Sequence, residues 1–306
     1  MPTPGYVRLL RSGELTRRVR LAHERLKACR LCPRACGSDR LAGELGACRT
    51  GALPLVSSYG PHFGEEAPLV GHGGSGTIFF AGCNLSCIYC QNYPLSHGLE
   101  GDETEIEELA AMMLRLQQFG CHNVNLVSPS HVVPQILAAI ALAAQTGLRL
   151  PIVYNTGGYD LPETLRLLDG VVDIYMPDAK YADSNVGRSL SGVRRYPAVN
   201  RAMIREANRQ VGPLTADKRG VATRGLLVRH LVLPHGLSGT EQVMQFLGDE
   251  VSRHTYVNVM QQYRPCYRAA ENPLLARRIT SGEYRQALEA ARAAGLYRLD
   301  GLWQFQ

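Results

Sequence analysis

The sequence predicts an α/β protein built on a parallel sheet, with a small metal-bound appendage at its N-terminus. From about residue 75 onward, short apolar runs alternate with helical patterns six times. That alternation implies parallel strands joined by right-handed crossovers. Residues 1–70 lack it and carry a basic helix and four clustered cysteines instead. The chain is 306 residues long, 45% hydrophobic and 20% charged, which is the composition of a globular protein with a sizeable core. The expected division is therefore 1–70 for the appendage and 71–306 for the core, the latter including a C-terminal extension.

Taken in order, residues 15–28 read as a basic helix and 51–76 as a Gly/Pro-rich connector. Residues 77–81 (TIFFA) form the first buried strand. Thr104-x-x-Glu107 has the form of a capping box, and its helix stops at Gly120. Residues 123–127 are the second strand, followed by a helix with Pro134 in its first turn. Residues 152–154 are the third strand, Pro162 starts a short helix, and 171–175 are the fourth strand. An Arg-rich helical stretch spans 184–224, and a fifth strand 226–233. Ser238-x-x-Glu241 caps the next helix, 256–260 are the sixth strand, and Thr280-x-x-Glu283 opens a last helix ending near Gly295. Periodicity fits either an open doubly wound sheet or a whole or partial β/α barrel. In both, chemistry collects at the C-terminal ends of the strands.

The formal net charge is +6, and nearly all of the basic residues are arginine; Lys27, Lys180 and Lys218 are the only lysines. The arginines are dispersed, as on a solvated surface, and nucleic-acid binding is unsupported. The longest apolar run, 136–144, has nine residues, against roughly 20 for a membrane span. The N-terminus has no apolar secretory segment, so a cytoplasmic location without membrane contact is expected. Nine cysteines in such a compartment point to metal or catalysis. Seven fall in two groups; Cys121 and Cys266 stand alone and read as buried hydrophobes.

The second group, Cys83-x3-Cys87-x2-Cys90, follows the first strand directly. Three thiolates can wrap one iron–sulfur cluster, and a cubane takes four ligands. One iron is then left open to a cofactor or substrate. The other reading is a zinc site completed by a histidine such as His97.

With Tyr89 just before the third cysteine, this segment resembles the radical S-adenosylmethionine superfamily. The resemblance covers roughly residues 75–262 and implies a partial (β/α)6 barrel. It also implies a [4Fe–4S] cluster on Cys83, Cys87 and Cys90 whose open iron binds S-adenosylmethionine. Reductive cleavage would yield a 5′-deoxyadenosyl radical that abstracts hydrogen from substrate. The family's Gly-Gly-Glu run after the second strand is replaced by Ser128-Pro129-Ser130-His131, leaving Ser128 and Ser130 to supply polar contacts. Tyr154-Asn155-Thr156-Gly157-Gly158 is similar to the family's ribose-contacting segment, with Asn155 at its centre; it also reads as a plain glycine turn.

Asp178-x-Lys180 and Arg229 with Val232 and Pro234 resemble segments of the glycyl-radical-enzyme activases in the same superfamily. The resemblance implies catalytic or cofactor roles for Asp178 and Lys180, and a place for Arg229 near the cofactor carboxylate. A rim ion pair is the plainer reading. The activases' Tyr-His after the sixth strand is absent; Met260, Gln261 and Gln262 stand there.

The first group reads Cys29-x2-Cys32-x3-Cys36-x11-Cys48. It suits a tetrahedral site for structural zinc or a second iron–sulfur cluster. Together the two groups resemble a branch similar to pyruvate formate-lyase activating enzyme. That resemblance implies an oxidoreductase served by a flavodoxin- or ferredoxin-type electron donor, acting on a glycyl-radical protein. A small molecule or another macromolecule is the alternative substrate, and a non-catalytic metal-bound scaffold the remote one. Glu65 and Glu66, just before the first strand, are further candidates for the pocket, with surface exposure the plainer reading.

Overall fold

A computed structural model describes residues 4–303. The chain opens with helices α1 (Gly5–Arg11) and α2 (Glu14–Glu24). Strand β1 (Leu55–His62), the short helix α3 (Ala67–Val70) and β2 (Ser75–Phe80) follow. Next come α4 (Tyr93–Ser96), β3 (Asp102–Glu103), α5 (Ile106–Gln118), β4 (Val124–Val127), α6 (Val133–Gln145) and β5 (Ile152–Thr156). Then follow α7 (Pro162–Leu165), β6 (Ile174–Pro177), α8 (Ser184–Ser191), α9 (Tyr196–Val211), β7 (Thr215–Ala216) and β8 (Ala222–Leu231). The chain closes with α10 (Thr240–Phe246), β9 (Tyr256–Met260) and α11 (Ser281–Ala293).

β2, β4, β5, β6, β8 and β9 pair in that order, every pairing parallel. These are the six predicted strands, and the fold is the expected α/β one: a partial barrel, open between β9 and β2. Crossover helices cover the outer face, so the strands are buried on both sides; every residue of β5 and β6 is buried. Leu126, Tyr154 and Val228 pack outward against helix residues such as Ile136 and Met113. Val153, Ile174, Leu227 and Tyr256 form a separate cluster with Leu69.

Four expectations need correction. The connector 51–76 contains β1, which pairs antiparallel with β2 and extends the sheet. Its half-exposed pattern and glycine and proline content hid it; an antiparallel strand at this edge needs only one apolar face. The basic helix has an unforeseen neighbour: α1 (Gly5–Arg11) precedes it, Gly13, with φ 76°, starts α2, and a 3-10 turn, Arg25–Ala28, ends the helical stretch. Thr104 does not cap α5; its hydroxyl turns back to the Asp102 carbonyl, and Glu105 is the N-cap. Ser238 does not cap α10; its hydroxyl accepts from the Leu233 N–H, and Gly239 stands at the cap. The capping box at Thr280 and Glu283 is present.

The appendage lies on the barrel. α2 packs against α6, and the Tyr6 hydroxyl donates to the Leu150 carbonyl at 2.9 Å. No helix among the described residues is long and apolar enough to cross a membrane.

Candidate active site

β2 delivers the chain to Gly82, whose φ of 80° turns it into the loop holding Cys83, Cys87 and Cys90. Each sulfur meets at least one hydrogen-bonding group. The Leu85 N–H donates to Cys83 Sγ at 3.4 Å, Ser96 Oγ donates to Cys90 Sγ at 3.2 Å, and Cys87 Sγ is hydrogen-bonded to Ser191 Oγ at 3.0 Å. Burial pushes the Cys83 thiol up to about 12, with Cys87 adding to the rise, and also raises Cys87. Ligation by metal would have to displace those protons. His97 is not part of this thiol set: its Nε2 meets the Cys87 carbonyl, and its ring stacks on Tyr267.

All three cysteines line one cavity of about 250 Å³ at the C-terminal ends of the strands. Tyr89, Ser128, Asn155, Asp178, Lys180 and Arg229 line it too. Asp178 is the hub. Lys180 Nζ donates to its Oδ2 at 2.6 Å, and Arg229 Nε to its Oδ1 at 2.9 Å. Burial opposes this charge, but Arg229 and Lys180 outweigh it and hold the carboxyl below its usual range. Arg229 Nη2 also donates to Asn155 Oδ1 at 2.7 Å, and Glu65 and Glu66 lie 3.9 and 4.0 Å away from the guanidinium. Burial pushes the Glu65 carboxyl up to about 7 against the pull of Arg229. Arg229 is thus shared among protein groups, whereas the Lys180 ammonium has two further donors for a ligand.

Ser128 ends β4 with φ 60° and lines the cavity; Ser130 does not. The Ser130 hydroxyl turns to Thr156 Oγ1 at 3.0 Å, and Thr156 in turn donates to Asp160. Gly158, φ 75°, lies so close to the Asp178 carbonyl that a Cβ would come within 2.0 Å of it. The glycine turn after β5 is therefore required by packing. A chain of hydroxyls escaped sequence reasoning: Tyr89 Oη to Tyr181 Oη, Tyr181 Oη to Ser191 Oγ at 2.6 Å, and Ser191 Oγ to Cys87. Cys87 and Ser191 are 104 residues apart, so no local signal joined them. A larger groove, about 880 Å³, lies between α10 and α11, but it holds none of the thiols.

Cys29, Cys32, Cys36 and Cys48 line a second cavity of only about 10 Å³, beside Asn84 and His131. Cys36 is exposed and the other three are buried. Burial pushes the Cys32 thiol up to about 12, with smaller contributions from Cys48 and Cys29. Among the described residues no three Cys, His, Asp or Glu side chains are gathered closely enough to chelate one ion. At the first cavity, the soft donor set and the space suit a multi-atom cluster rather than a single ion.

The Radical SAM superfamily matches residues 77–211. The uncharacterized protein MJ0674 from Methanocaldococcus jannaschii is 32% identical over 295 residues, covering 92% of this chain and 79% of that protein. The fold is similar to the crystal structure of a radical SAM methyltransferase from Sphaerobacter thermophilus, with a TM-score of 0.50, 16% identity and 72% of this chain covered. That match spans 64% of the methyltransferase, less than two-thirds of its length, and at this identity it speaks for the fold. Six parallel strands, three cysteines directly after the first of them, and a family match beginning on that strand make one statement together: this chain carries a radical SAM superfamily domain over residues 77–211.

Proposed function

We propose that Cys83, Cys87 and Cys90 hold the [4Fe–4S] cluster that the superfamily implies, that Lys180 and its neighbours bind S-adenosylmethionine, and that the substrate is a glycine of a partner protein, as in the activases. The observation that carries the site assignment is the single cavity shared by the three thiols and the Asp178, Lys180 and Arg229 network. When bound, the reduced cluster supplies the electron that splits S-adenosylmethionine into methionine and a hydrogen-abstracting 5′-deoxyadenosyl radical.

The chain's own residues bind and orient. The hydrogen-bonding groups at Cys83, Cys87 and Cys90 temper the ligand charge, one of the protein's means of setting a cluster potential. Lys180, fixed by Asp178, offers its free donors to the cofactor carboxylate. Asn155, held by Arg229, and Ser128 present polar atoms at the ends of β5 and β4. Leu85, Val127, Leu231 and Met260 supply apolar wall, and Gln91, Asn92 and Gln262 add side-chain amides able to pair with a peptide backbone, which supports a peptide as the target. The buried pair Glu65 and Glu66 behind Arg229 supports the second reading, a small molecule carrying a cationic group.

The four-cysteine group, by this reading, binds one structural ion, zinc, and its sulfurs would close in on the ion from their present separations. Its cavity of about 10 Å³ is the size of one water-sized body.

The test is anaerobic. The chain is reconstituted with iron and sulfide, reduced, and given S-adenosylmethionine, with zinc, iron and 5′-deoxyadenosine counted on one sample. A supplied glycyl-radical protein should then develop a glycyl radical signal, with a flavodoxin or ferredoxin as donor. Cys87→Ala should abolish 5′-deoxyadenosine while leaving zinc in place. Product formation that survives this change rejects the site; cleavage without any glycyl signal rejects the activase reading and favours the small-molecule one.

A further inference from the structure

The two cysteine groups are joined by a set of contacts. Arg34 lies between Cys32 and Cys36. Its Nε donates to the Asn84 carbonyl at 2.8 Å, its Nη1 to the Gly192 carbonyl at 2.8 Å, and its Nη2 to Ser86 Oγ at 3.4 Å. Asn84 and Ser86 sit inside the loop between Cys83 and Cys87. Arg49 follows Cys48 and donates to the carbonyls of His97 at 2.5 Å and Ser96 at 3.4 Å. Those two residues contact the same loop: Ser96 Oγ reaches Cys90 Sγ, and His97 Nε2 meets the Cys87 carbonyl. The backbones touch as well. A Cβ on Gly82 would lie 2.7 Å from the Cys48 carbonyl oxygen.

Neither arginine has a carboxylate within ion-pair distance among the described residues. Each uses its donors on backbone carbonyls, which fixes position rather than balancing charge. The segment that carries them, residues 29–54, has one short 3-10 turn, Arg40–Ala42, as its only regular element. Its shape therefore depends on cross-links, and the four cysteines are the cross-linking groups it contains.

We infer that the four-cysteine segment is a splint for the three-cysteine loop: its bound ion fixes Arg34 and Arg49, and these positioning residues hold the loop in the shape that retains the cluster. The inference rests on the proposed cluster site and on the proposed N-terminal ion. It gives the appendage a mechanical role in cluster retention and no part in electron transfer.

The test uses the full chain reconstituted as above and follows release of iron to a ferrous chelator, with the visible and reduced-state EPR spectra recorded. Three forms are compared with wild type: Arg34→Ala/Arg49→Ala, the same pair changed to Lys, and Cys36→Ser. Loss of an outer hydrogen-bond partner costs roughly tenfold or more in metal retention. The alanine pair should therefore release iron roughly tenfold faster while keeping its zinc, with an altered EPR signal on adding S-adenosylmethionine. The lysine pair should recover part of the loss, and Cys36→Ser should lose zinc and show the same faster release. Iron release as slow as wild type in the alanine pair overturns the inference. If the double variant does not fold, each single variant is read by the same criterion. A triple change of Cys83, Cys87 and Cys90 to Ala is the control: unchanged iron content there rejects the cluster assignment itself, separately from the splint.

Discussion

The two cysteine groups differ most in the space they enclose. Cys29, Cys32, Cys36 and Cys48 line about 10 Å³, and the two arginines beside them, Arg34 and Arg40, donate to backbone carbonyls. Cys83, Cys87 and Cys90 border about 250 Å³ together with Asp178, Lys180 and Arg229. The first group lies in a segment almost without regular structure; the second sits at the end of a buried parallel strand. On the proposed reading, the contrast is that between a closed structural site and a site that keeps a position open for chemistry. A rigid strand end aims the second group, while the first lies in a segment held by the buried Arg40, the Asp39 turn and a small apolar cluster of Leu26, Leu31 and Leu41.

The largest expected effects separate the two groups by what is lost. Cys32→Ser should lose the N-terminal ion and lower the melting temperature, on a scale of roughly 2–4 °C per kcal/mol. Cys87→Ala should lose 5′-deoxyadenosine with a much smaller change in melting. Calorimetry and product counting on the two variants would break the comparison if the losses came out reversed. Next, Lys180→Ala removes a charged hydrogen-bond donor from the open site. S-adenosylmethionine binding should weaken by about 1.5–3 kcal/mol, roughly tenfold or more, at unchanged iron. Calorimetric titration checks this, and unchanged affinity would return Lys180 to the role of a rim ion pair.

A change at the contact between the groups should affect both. Gly82→Ala forces a Cβ against the Cys48 carbonyl at a φ of 80°. A cost of about 1–3 kcal/mol is expected, with zinc and iron both held less firmly. Loss of only one metal would show that the contact does not couple them.

The smallest effect is a pH slope confined to the open site. The folded Glu65 carboxyl titrates near 7, above its ordinary value of 4.5. A raised carboxyl binds its proton more tightly in the folded state, so its contribution is complete below 4.5 and declines as pH rises to about 7. Stability should fall across that window by no more than about 1.4 kcal/mol per pH unit. Glu65→Gln should flatten the slope in urea titrations at several pH values. A slope that persists would place its origin elsewhere.

Much of the fold was legible because its signals are local. The run after residue 75, the proline in the first turn of α6 and the capping box at Thr280 each act within a few residues. The capping motifs at Thr104 and Ser238 misled because each hydroxyl found a carbonyl or N–H outside its helix. Ser130 misled in the same way, joining Thr156 behind the cavity. β1 was missed because an antiparallel strand with one wet face has no continuous apolar run.

By itself the sequence determined which side chains could carry the chemistry: three cysteines at the tip of a strand, four more upstream, and a scarce lysine two residues after an aspartate. Spacing along a chain fixes what can meet within one loop. Tertiary structure alone decided the partnerships across the chain: Arg229 with Asp178, 51 residues apart, Arg34 with Asn84, 50 apart, and Ser191 with Cys87, 104 apart. Those meetings follow from how parallel strands stack and where their loops emerge. No periodicity encodes that, because the energy that selects it comes from burial of the whole sheet.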